Sequence, residues 1–333
     1  MELPKLAIAA LGGTVSMQAR NAGEGVIPTV SGETLLASVP QLTTLARVTV
    51  ETLGLLPSAS LDFQCLLSVL SWANYQVEQG ATGVVITQGT DTLEETAIFF
   101  EYLWNHDAPL VLTGAMRSAK QAGADGPANL LDACRVALAE SSRRRGVQVV
   151  MNGQIHHASH VRKTDSLALQ AFSSPVFGPT GLLVEDHVQY LRPPAPRKIL
   201  PLPQATSQNI AMLEASLSAD TLLLETILKV GYDGLVIAGL GAGHVSEKWA
   251  TVIESIAEKI PVIIATRTGS GATAQATYGF AGSEMDLIRK GACMAGFLCP
   301  RKARILLWLL IGCQRQHELA TYLKATSTLK IDA

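Results

Sequence analysis

The sequence predicts an α/β fold with two α/β domains: a larger N-terminal one with a doubly wound, mostly parallel sheet, and a smaller C-terminal one. Short apolar runs of strand length alternate with longer helical segments, as in βαβ units. The alternation stops at a proline-rich stretch and then resumes. With 333 residues, 48% of them hydrophobic, the chain can bury two cores. We expect an N-terminal domain over 1–190, a linker over 191–208 and a C-terminal domain over 209–333.

The N-terminal part contains the clearest alternation. Strands are predicted at 6–11, 46–52, 83–87, 108–113 and 147–151. Helices are predicted near 32–38, 61–79, 92–104 and 127–141. Two helix starts carry specific signals: Thr92 with Glu95 fits a capping box, and Pro127 after Asp125 and Gly126 suits a first helical turn.

The regular pattern fails from 178 to 204. Within this stretch, Arg192-Pro193-Pro194-Ala195-Pro196-Arg197 predicts an extended linker, because proline cannot join a helix interior or a central strand ladder. A second α/β alternation then begins. Its predicted strands are 210–213, 234–238 and 261–265, and its predicted helices are 246–259 and 302–311.

Polar residues follow two of the predicted strands directly. Gly12-Gly13-Thr14 comes after the first strand, and Gly89-Thr90-Asp91 comes after the strand at 83–87. Open α/β sheets bind ligands at the carboxyl ends of their strands, where loops and helix N-termini leave unpaired backbone donors. A single Gly-Gly-Thr turn is equally typical of a hydroxyl exposed to solvent. The pair of segments favours a binding site.

Both segments resemble motifs of the bacterial L-asparaginase/glutaminase family of threonine-dependent amidohydrolases. The family motifs have the forms T-G-G-T-I-A and H-G-T-D-T-M-E-E-T-A. Here they stand as 11–16 (LGGTVS) and 88–97 (QGTDTLEETA). Further similar segments are 111–117, 124–129, Lys163-Thr164, 231–239 and 302–307, so the resemblance spans nearly the whole chain.

This resemblance implies an amidohydrolase that releases ammonia from L-asparagine through an acyl-threonine intermediate. The implied catalytic residues are Thr14, Thr90, Asp91 and Lys163, with no metal and no organic cofactor. Amide hydrolysis needs a nucleophile, a group that takes its proton and donors for the oxyanion. A lysine beside an aspartate in a water-poor site is able to relay a proton. The sequence leaves open which threonine attacks.

The resemblance also implies a set of substrate-binding residues and an assembly. The binding positions are Gly13, Ser58, Thr90, Asp91, Ala115 and His244. Ser58 corresponds to a serine that binds the substrate α-carboxylate, although a serine after proline in a loop is equally typical of a solvated turn. His244 stands where an asparagine of a neighbouring subunit would reach the site. The implied assembly is a homotetramer, a dimer of dimers.

Several positions depart from the family pattern. The family has a tyrosine on the loop after the first threonine, yet residues 15–30 contain none and the first tyrosine is Tyr75. Ala59 replaces a glutamine, Gln88 replaces a histidine, and a glutamate expected near Tyr278 is not identifiable. Two alternatives therefore stay open. One is the same chemistry on a modified or D-configured asparagine or glutamine derivative, and the other is a catalytically impaired binding protein.

Composition restricts the partners. The chain has 26 basic and 28 acidic residues, a net charge of −2, whereas nucleic acid and anionic membranes select basic surfaces. We therefore expect a small-molecule amide substrate, no nucleic acid and no membrane. Five cysteines without close pairing are typical of reduced thiols. Neither a membrane span nor a cleavable signal is evident, which predicts a cytoplasmic protein.

Three rival interpretations are less favoured. Gly239, Gly241 and Gly243 with Arg267 resemble a dinucleotide fingerprint, but the third glycine of that fingerprint is missing at its usual spacing. His156, His157 and His160 are candidates for a metal, although loop histidines without a Cys or carboxylate partner are more typical of surface residues. The tRNA-dependent amidotransferase relatives carry an extra N-terminal domain, for which no room is expected before the first strand.

Overall fold

The chain forms two compact units, Met1–Ile199 and Leu200–Ala333. The computed structural model describes residues 2–14, 17–19, 26–28 and 31–327. Each unit has its own sheet and apolar core. Within the described ranges, no helix is long and apolar enough to cross a membrane.

The described strands of the first unit are β1 (Lys5–Gly12), β2 (Met17–Ala19), β3 (Val26–Pro28), β4 (Arg47–Leu56), β5 (Gly83–Thr87), β6 (Leu110–Thr113), β7 (Val147–Met151), β8 (Gln154–His157), β9 (Arg162–Lys163), β10 (Phe172–Ser173), β11 (Gly181–Val184) and β12 (His187–Tyr190). Eight of them form one sheet in the order β12-β11-β8-β7-β6-β5-β1-β4. Strands β4, β1, β5, β6 and β7 are parallel, and β8, β11 and β12 extend the sheet in antiparallel fashion. The antiparallel pair of β2 and β3 stands outside this sheet, as does the ribbon of β9 and β10.

Helices cover this sheet because the central strands are apolar on both faces. Every residue of β5, β6 and β7 is buried, as expected for strands between two helical layers. The helices are α1 (Gly32–Ala37), α2 (Leu42–Leu45), α3 (Phe63–Glu78), α4 (Leu93–Leu103) and α5 (Gly126–Leu138). The apolar side of α5 packs into the core with Val85, Val111 and Val150.

The second unit contains a parallel sheet formed by β13 (Ile210–Glu214), β14 (Gly234–Gly239), β15 (Val262–Thr266) and β16 (Cys293–Met294). The four strands lie in the order β13-β14-β15-β16. Its helices are α6 (Leu222–Thr226), α7 (Glu247–Ala257), α8 (Glu284–Arg289), α9 (Pro300–Gly312) and α10 (Leu319–Ser327). The mostly parallel larger sheet and the separate smaller one confirm the predicted fold class. All eight predicted strands and six predicted helices are present. The strands predicted at 83–87 and 147–151 have the same ends as β5 and β7, and the other elements have shifted ends.

The prediction that 178–204 contains no regular structure was wrong for the first part of this range, 181–190. Strands β11 and β12 form a hairpin at the sheet edge. Both turn residues, Glu185 and Asp186, have positive φ values of 48° and 69°, the conformation of a primed hairpin turn. Such turns normally contain Asn-Gly or Asp-Gly, so this sequence lacks the usual hairpin signal.

The stretch 191–208, predicted as a linker, contains none of the described helices or strands. Its first part is held on the first unit, where Arg197 Nε donates to Glu101 Oε1 at 2.7 Å. Its last part is held on the second unit, where Gln208 Nε2 donates to the Trp308 carbonyl at 2.8 Å. The boundary between the two units falls inside this stretch.

Candidate active site

The motif at Gly12–Thr14 and the motif at Gly89–Asp91 meet because the strands before them, β1 and β5, are neighbours in the sheet. β1 pairs with β4 on one side and with β5 on the other, so the chain changes direction across the sheet at β1. Ligands of open α/β sheets bind at such a switch point, beyond the carboxyl ends of the strands. Thr14 follows β1 and Thr90 follows β5, which brings both motifs to this edge.

The backbones of Gly13 and Gly89 are in direct contact. A Cβ atom on Gly13 would overlap the amide nitrogen and Cα of Gly89. Gly13 also has a φ of +80°, which side chains with a Cβ rarely adopt. Glycine is therefore required at position 13, and it is this residue that allows the Thr14 and Thr90 turns to approach each other.

Thr90, Asp91 and Lys163 form one hydrogen-bonded group. Lys163 Nζ donates to Thr90 Oγ1 at 2.9 Å and to Asp91 Oδ1 at 2.7 Å. The Lys163 side chain is 15% exposed, whereas that of Asp91 is 69% exposed. The lysine is thus largely removed from solvent, while the carboxylate presents an open side to a ligand.

Lys163 reaches this group from a distant part of the chain. It ends the two-residue strand β9, which pairs with β10 in a separate ribbon. Its backbone amide donates to Glu94 Oε2 at 3.3 Å, and Glu94 lies in the first turn of α4 just after the Thr90 turn. The helix that follows Thr90 therefore also holds the lysine strand in place.

Ser58 lies against the second motif and is buried, so the solvated alternative for this residue was wrong. A Cβ atom on Gly89 would come within 2.6 Å of Ser58 Oγ. Thr92 Oγ1 donates to the Ser58 carbonyl at 3.0 Å. The capping box predicted for Thr92 was wrong, since its hydroxyl makes this bond and gives no cap bond to α4. The Thr92 side chain ties the Ser58 turn to the Thr90 turn.

Ala115 lies in the turn that follows β6, the next strand after β5 in the sheet. The preceding Gly114 packs on the second motif, because a Cβ there would be 2.6 Å from the Gln88 carbonyl oxygen and 3.2 Å from Thr90 Cγ2. Asp125 and Asn129 hold this turn through hydrogen bonds to Met116 and Gly114. The sequence predicted no contact with the site for Asp125 or Asn129.

His244 belongs to the second unit, in the turn between β14 and α7. Its Nε2 lies 3.1 Å from Glu284 Oε2, and Glu284 is fully buried. Glu284 Oε1 accepts hydrogen bonds of 2.6 Å from the amides of Tyr278 and Thr277. Burial acts to raise the pKa of the Glu284 carboxyl, but these amides and His244 outweigh it and lower that pKa. His244 is therefore held by a buried carboxylate.

The histidines 156, 157 and 160 do not form a surface cluster, so that expectation was wrong. His156 is fully buried in β8, with Nδ1 2.9 Å from Ser174 Oγ, and the His160 ring stacks on Phe177. In the ranges 2–14, 17–19, 26–28 and 31–327, no group of three His, Cys, Asp or Glu side chains is placed to hold a metal ion. All five cysteines are free, as predicted, and three of them are buried.

The contacts within the second unit do not favour a dinucleotide-binding site. The glycine turn closes on itself through paired bonds between Leu240 and His244. Arg267, the candidate for a 2′-phosphate, donates to the Ala215 carbonyl and pairs with Glu214.

The loop that lacks the family tyrosine lies largely outside the described residues, which leave out 15–16, 20–25 and 29–30.

Two threonines follow neighbouring strands of the sheet, and a carboxylate and a half-buried lysine from a separate ribbon stand beside one of them. Hydroxyl groups beside groups able to move protons are compatible with amide hydrolysis. The model of the family described as "Asparaginase, N-terminal" matches residues 5–196, and that of the "Glutaminase/Asparaginase C-terminal domain" matches residues 209–322. The chain belongs to the asparaginase family, and it is an amidohydrolase.

Individual relatives agree with this assignment. The chain is similar to a "Probable L-asparaginase periplasmic" of Haemophilus influenzae, with 32% identity over 93% of this chain and 89% of the relative. It also matches the crystal structure of a "Probable Cytoplasmic L-asparaginase" from Campylobacter jejuni, with a TM-score of 0.87 and 28% identity. That match covers 96% of this chain and 99% of the other.

A second kind of relative has a different activity in its name. One subunit of the "Glutamyl-tRNA(Gln) amidotransferase" of Methanosarcina acetivorans is 27% identical, over 93% of this chain and 74% of the relative. The similarity therefore includes proteins named for hydrolysis of asparagine and proteins named for amide transfer.

Proposed function

We propose that this chain hydrolyses the side-chain amide of L-asparagine to aspartate and ammonia through an acyl-threonine intermediate. The observation that carries the proposal is the bridge from Lys163 Nζ to both Thr90 Oγ1 and Asp91 Oδ1. This group stands beside the Gly13–Gly89 contact that brings Thr14 to the same edge. A nucleophile and a proton-moving group are thus available together.

In this mechanism Thr14 is the nucleophile. Its Oγ bonds to the amide carbon, the carbon–nitrogen bond breaks, and the hydroxyl proton leaves with the nitrogen as ammonia. Water then cleaves the ester, releases aspartate and returns the proton to Thr14. Thr90, Asp91 and Lys163 relay protons between these partners, since the lysine is largely shielded from bulk water.

The remaining site residues hold the substrate. Asp91 is suited to the α-ammonium group because its side chain is mostly exposed and Lys163 occupies only one of its oxygens. The buried Ser58 is suited to the α-carboxylate. Gly13 and Ala115 contribute backbone contacts, and His244 contributes from a neighbouring subunit.

We further propose that the chain assembles into a homotetramer, a dimer of dimers. It would act in the cytoplasm on a small-molecule amide. Assembly would let His244 of one subunit complete the site of another. Five free cysteines suit a reducing compartment. Light scattering tests the assembly, and a stable, fully active monomer would contradict it.

Ammonia release from L-asparagine is the direct test. Rapid quenching followed by peptide mass spectrometry should find an aspartyl ester on the peptide that contains Thr14. An ester on Thr90 instead would reverse the roles of the two threonines. Absence of both ammonia release and ester would reject the proposal. Running the assay without RNA distinguishes simple hydrolysis from amide transfer that requires a tRNA.

A second candidate is the same chemistry on a modified or D-configured asparagine or glutamine derivative. The observation that favours it is the absence of tyrosine from residues 15–30, together with Ala59 and Gln88 at positions where the family has other side chains. Fewer groups then fix the free amino acid. A panel of derivatives, assayed for ammonia, distinguishes the two candidates.

A further inference from the structure

Lys163 stands on a part of the chain that the main sheet does not pair with. Strands β9 and β10 have two residues each, and among the described strands they pair only with each other. Phe172 lies opposite Lys163 in this ribbon. A two-stranded hairpin without further contacts is marginally stable at best in water. Other contacts must therefore fix the ribbon relative to Thr90.

One such contact is made by a histidine of the main sheet. His156 lies in β8 and is fully buried, and its Nδ1 is 2.9 Å from Ser174 Oγ. Ser174 directly follows β10 and is also buried. A hydrogen bond between two buried side chains is costly to break, because each group then loses its partner away from water. The His156–Ser174 bond therefore ties one end of β10 to the eight-stranded sheet.

The other end of β10 is tied by Gln170. Its Nε2 donates to the Phe172 carbonyl at 3.0 Å and to Gln154 Oε1 at 3.3 Å, and its Oε1 accepts from Asn152 Nδ2. Gln170 is exposed, so water competes for these bonds, whereas the histidine–serine bond is shielded from water. The buried bond is therefore the stronger of the two attachments.

The position of the ribbon decides the two hydrogen bonds of Lys163 Nζ at the site. These bonds are 2.9 Å to Thr90 Oγ1 and 2.7 Å to Asp91 Oδ1. A displacement of Nζ by about 1 Å would take both beyond hydrogen-bond range. Misplacement of a catalytic group by about 1 Å lowers the rate by up to about 10²-fold. The contacts that hold the ribbon therefore influence the rate.

We propose that His156 is a positioning residue for the reaction. Through Ser174 it holds β10, β10 holds β9, and β9 places Lys163 Nζ against Thr90. The inference rests on the proposed amide hydrolysis, in which Lys163 moves protons. It gives a role to a buried histidine that does not itself touch the threonines.

The first test removes the bond from either side. Ser174→Ala and His156→Leu should each lower kcat for L-asparagine about tenfold to a hundredfold. The double variant should fall no further than the lower single variant, because the shared bond is lost only once. His106→Leu is the matched control and should keep wild-type kcat. His106 is half-buried in the loop after α4, and its Nε2 lies 3.0 Å from Asn74 Oδ1.

The second test asks whether the histidine acts through the lysine. In a Lys163→Met background, His156→Leu should leave the residual kcat unchanged, because the group that it positions is already absent. A merely structural role would lower kcat by the same factor in both backgrounds. His156→Asn is the conservative variant and should recover most of kcat, since an asparagine amide group is able to bond to Ser174 from a similar position.

A folded Ser174→Ala or His156→Leu variant with wild-type kcat would overturn the positioning role and leave the proposed hydrolysis standing. An equal further loss from His156→Leu in the Lys163→Met background would overturn it as well. A wild-type protein that releases no ammonia from L-asparagine or its derivatives would instead reject the proposed function itself. Circular dichroism gives the folded fraction of each variant, so that every kcat refers to folded protein.

Discussion

Lys163 Nζ lies 2.9 Å from Thr90 Oγ1, although the two residues are 73 positions apart in the chain. Thr90 follows a central strand of the sheet, and Lys163 ends a strand of a separate two-stranded ribbon. Asp91 completes the contact on the exposed side. The proposed proton transfer depends on this lysine, which is only 15% exposed and is bonded to a hydroxyl and a carboxylate.

Lys163→Met should lower kcat by about 10²–10⁴-fold, the range typical for loss of a proton-transfer group. The ion pair with Asp91 should contribute at most about 1 kcal/mol to stability, because the carboxylate is mostly in solvent. Kinetics and urea unfolding measured on the same preparation separate these effects. Lys259→Met, at an exposed lysine just after α7, is the control and should keep wild-type kcat. A near-normal kcat in Lys163→Met would contradict the assignment.

Thr14→Ala and Thr90→Val should each lower kcat by at least about 10³-fold while the protein stays folded. Residues that act as a unit in catalysis fail together when any one is removed. Circular dichroism and ammonia release measure the two properties. If either variant kept wild-type turnover, the corresponding threonine would have no place in the mechanism.

Only the threonine turns of this cluster carry a local signal in the sequence. Thr14 and Thr90 follow apolar strands, and neighbouring parallel strands end at the same edge of a sheet. Lys163 was predicted as a site residue only through the family resemblance. Nothing in the sequence around it predicts a two-residue strand that places it beside Thr90. Contacts between distant segments depend on tertiary packing, which local patterns do not encode.

The bonds that the Asp125 and Thr92 side chains make to neighbouring turns were missed for a different reason. Both residues fit helix-start patterns, and both stand at helix starts, but their side chains bond to other turns. His156 was missed because a polar side chain in a short strand has no periodic signal for burial. Helix position follows from the sequence pattern, whereas the choice of bonding partner depends on which turns the sheet brings near.

Gly13→Ala should both destabilise the protein and abolish activity. A Cβ at this position overlaps the Gly89 backbone and also strains a φ of +80°. Gly231→Ala is the matched control, because Gly231 has a φ of +82° and open space around its Cβ position. In the control, backbone strain alone should lower the free energy of unfolding, by about 1–2 kcal/mol. Overpacking should add about 1–3 kcal/mol in Gly13→Ala. Equal unfolding free energies for the two variants would contradict the close contact.

Glu284 should give the second unit an acid-sensitive stability. Its folded pKa lies below the ordinary value of 4.5, so its contribution is present above pH 4.5 and is lost as the pH falls through the lower folded pKa. Glu284→Gln should therefore be less stable than wild type at pH 7, and the difference should shrink below pH 4.5. Urea unfolding at several pH values measures this. Glu258→Gln, at an exposed carboxylate, should match wild type throughout. A difference that grows on acidification would reverse the sign and reject the argument.

The missing tyrosine leads to a prediction about substrate size. No tyrosine occurs between Thr14 and Tyr75, and Tyr75 is exposed on α3. A buried tyrosine contributes roughly 150–250 Å² of contact, so a site without it has more room beside Thr14. Either Ser16 or Arg20, which lie outside the described residues, supports Thr14 instead, or a bulkier substrate fills the space. The sequence expectation that Gly23 and Gly25 let this loop close over a bulkier substrate also lies outside the described residues.

We therefore expect kcat/KM for free L-asparagine to be at least about tenfold below that for some larger asparagine derivative, a difference of about 1.4 kcal/mol in transition-state binding. The measurement is ammonia release across N-acylated, peptidyl and D-configured asparagine derivatives, each with its glutamine counterpart. The glutamine series controls for side-chain length, because it changes the position of the amide without changing the group on the α-nitrogen. If unmodified L-asparagine is clearly the best substrate, extra room beside Thr14 has no effect on selection and the plain asparaginase interpretation holds.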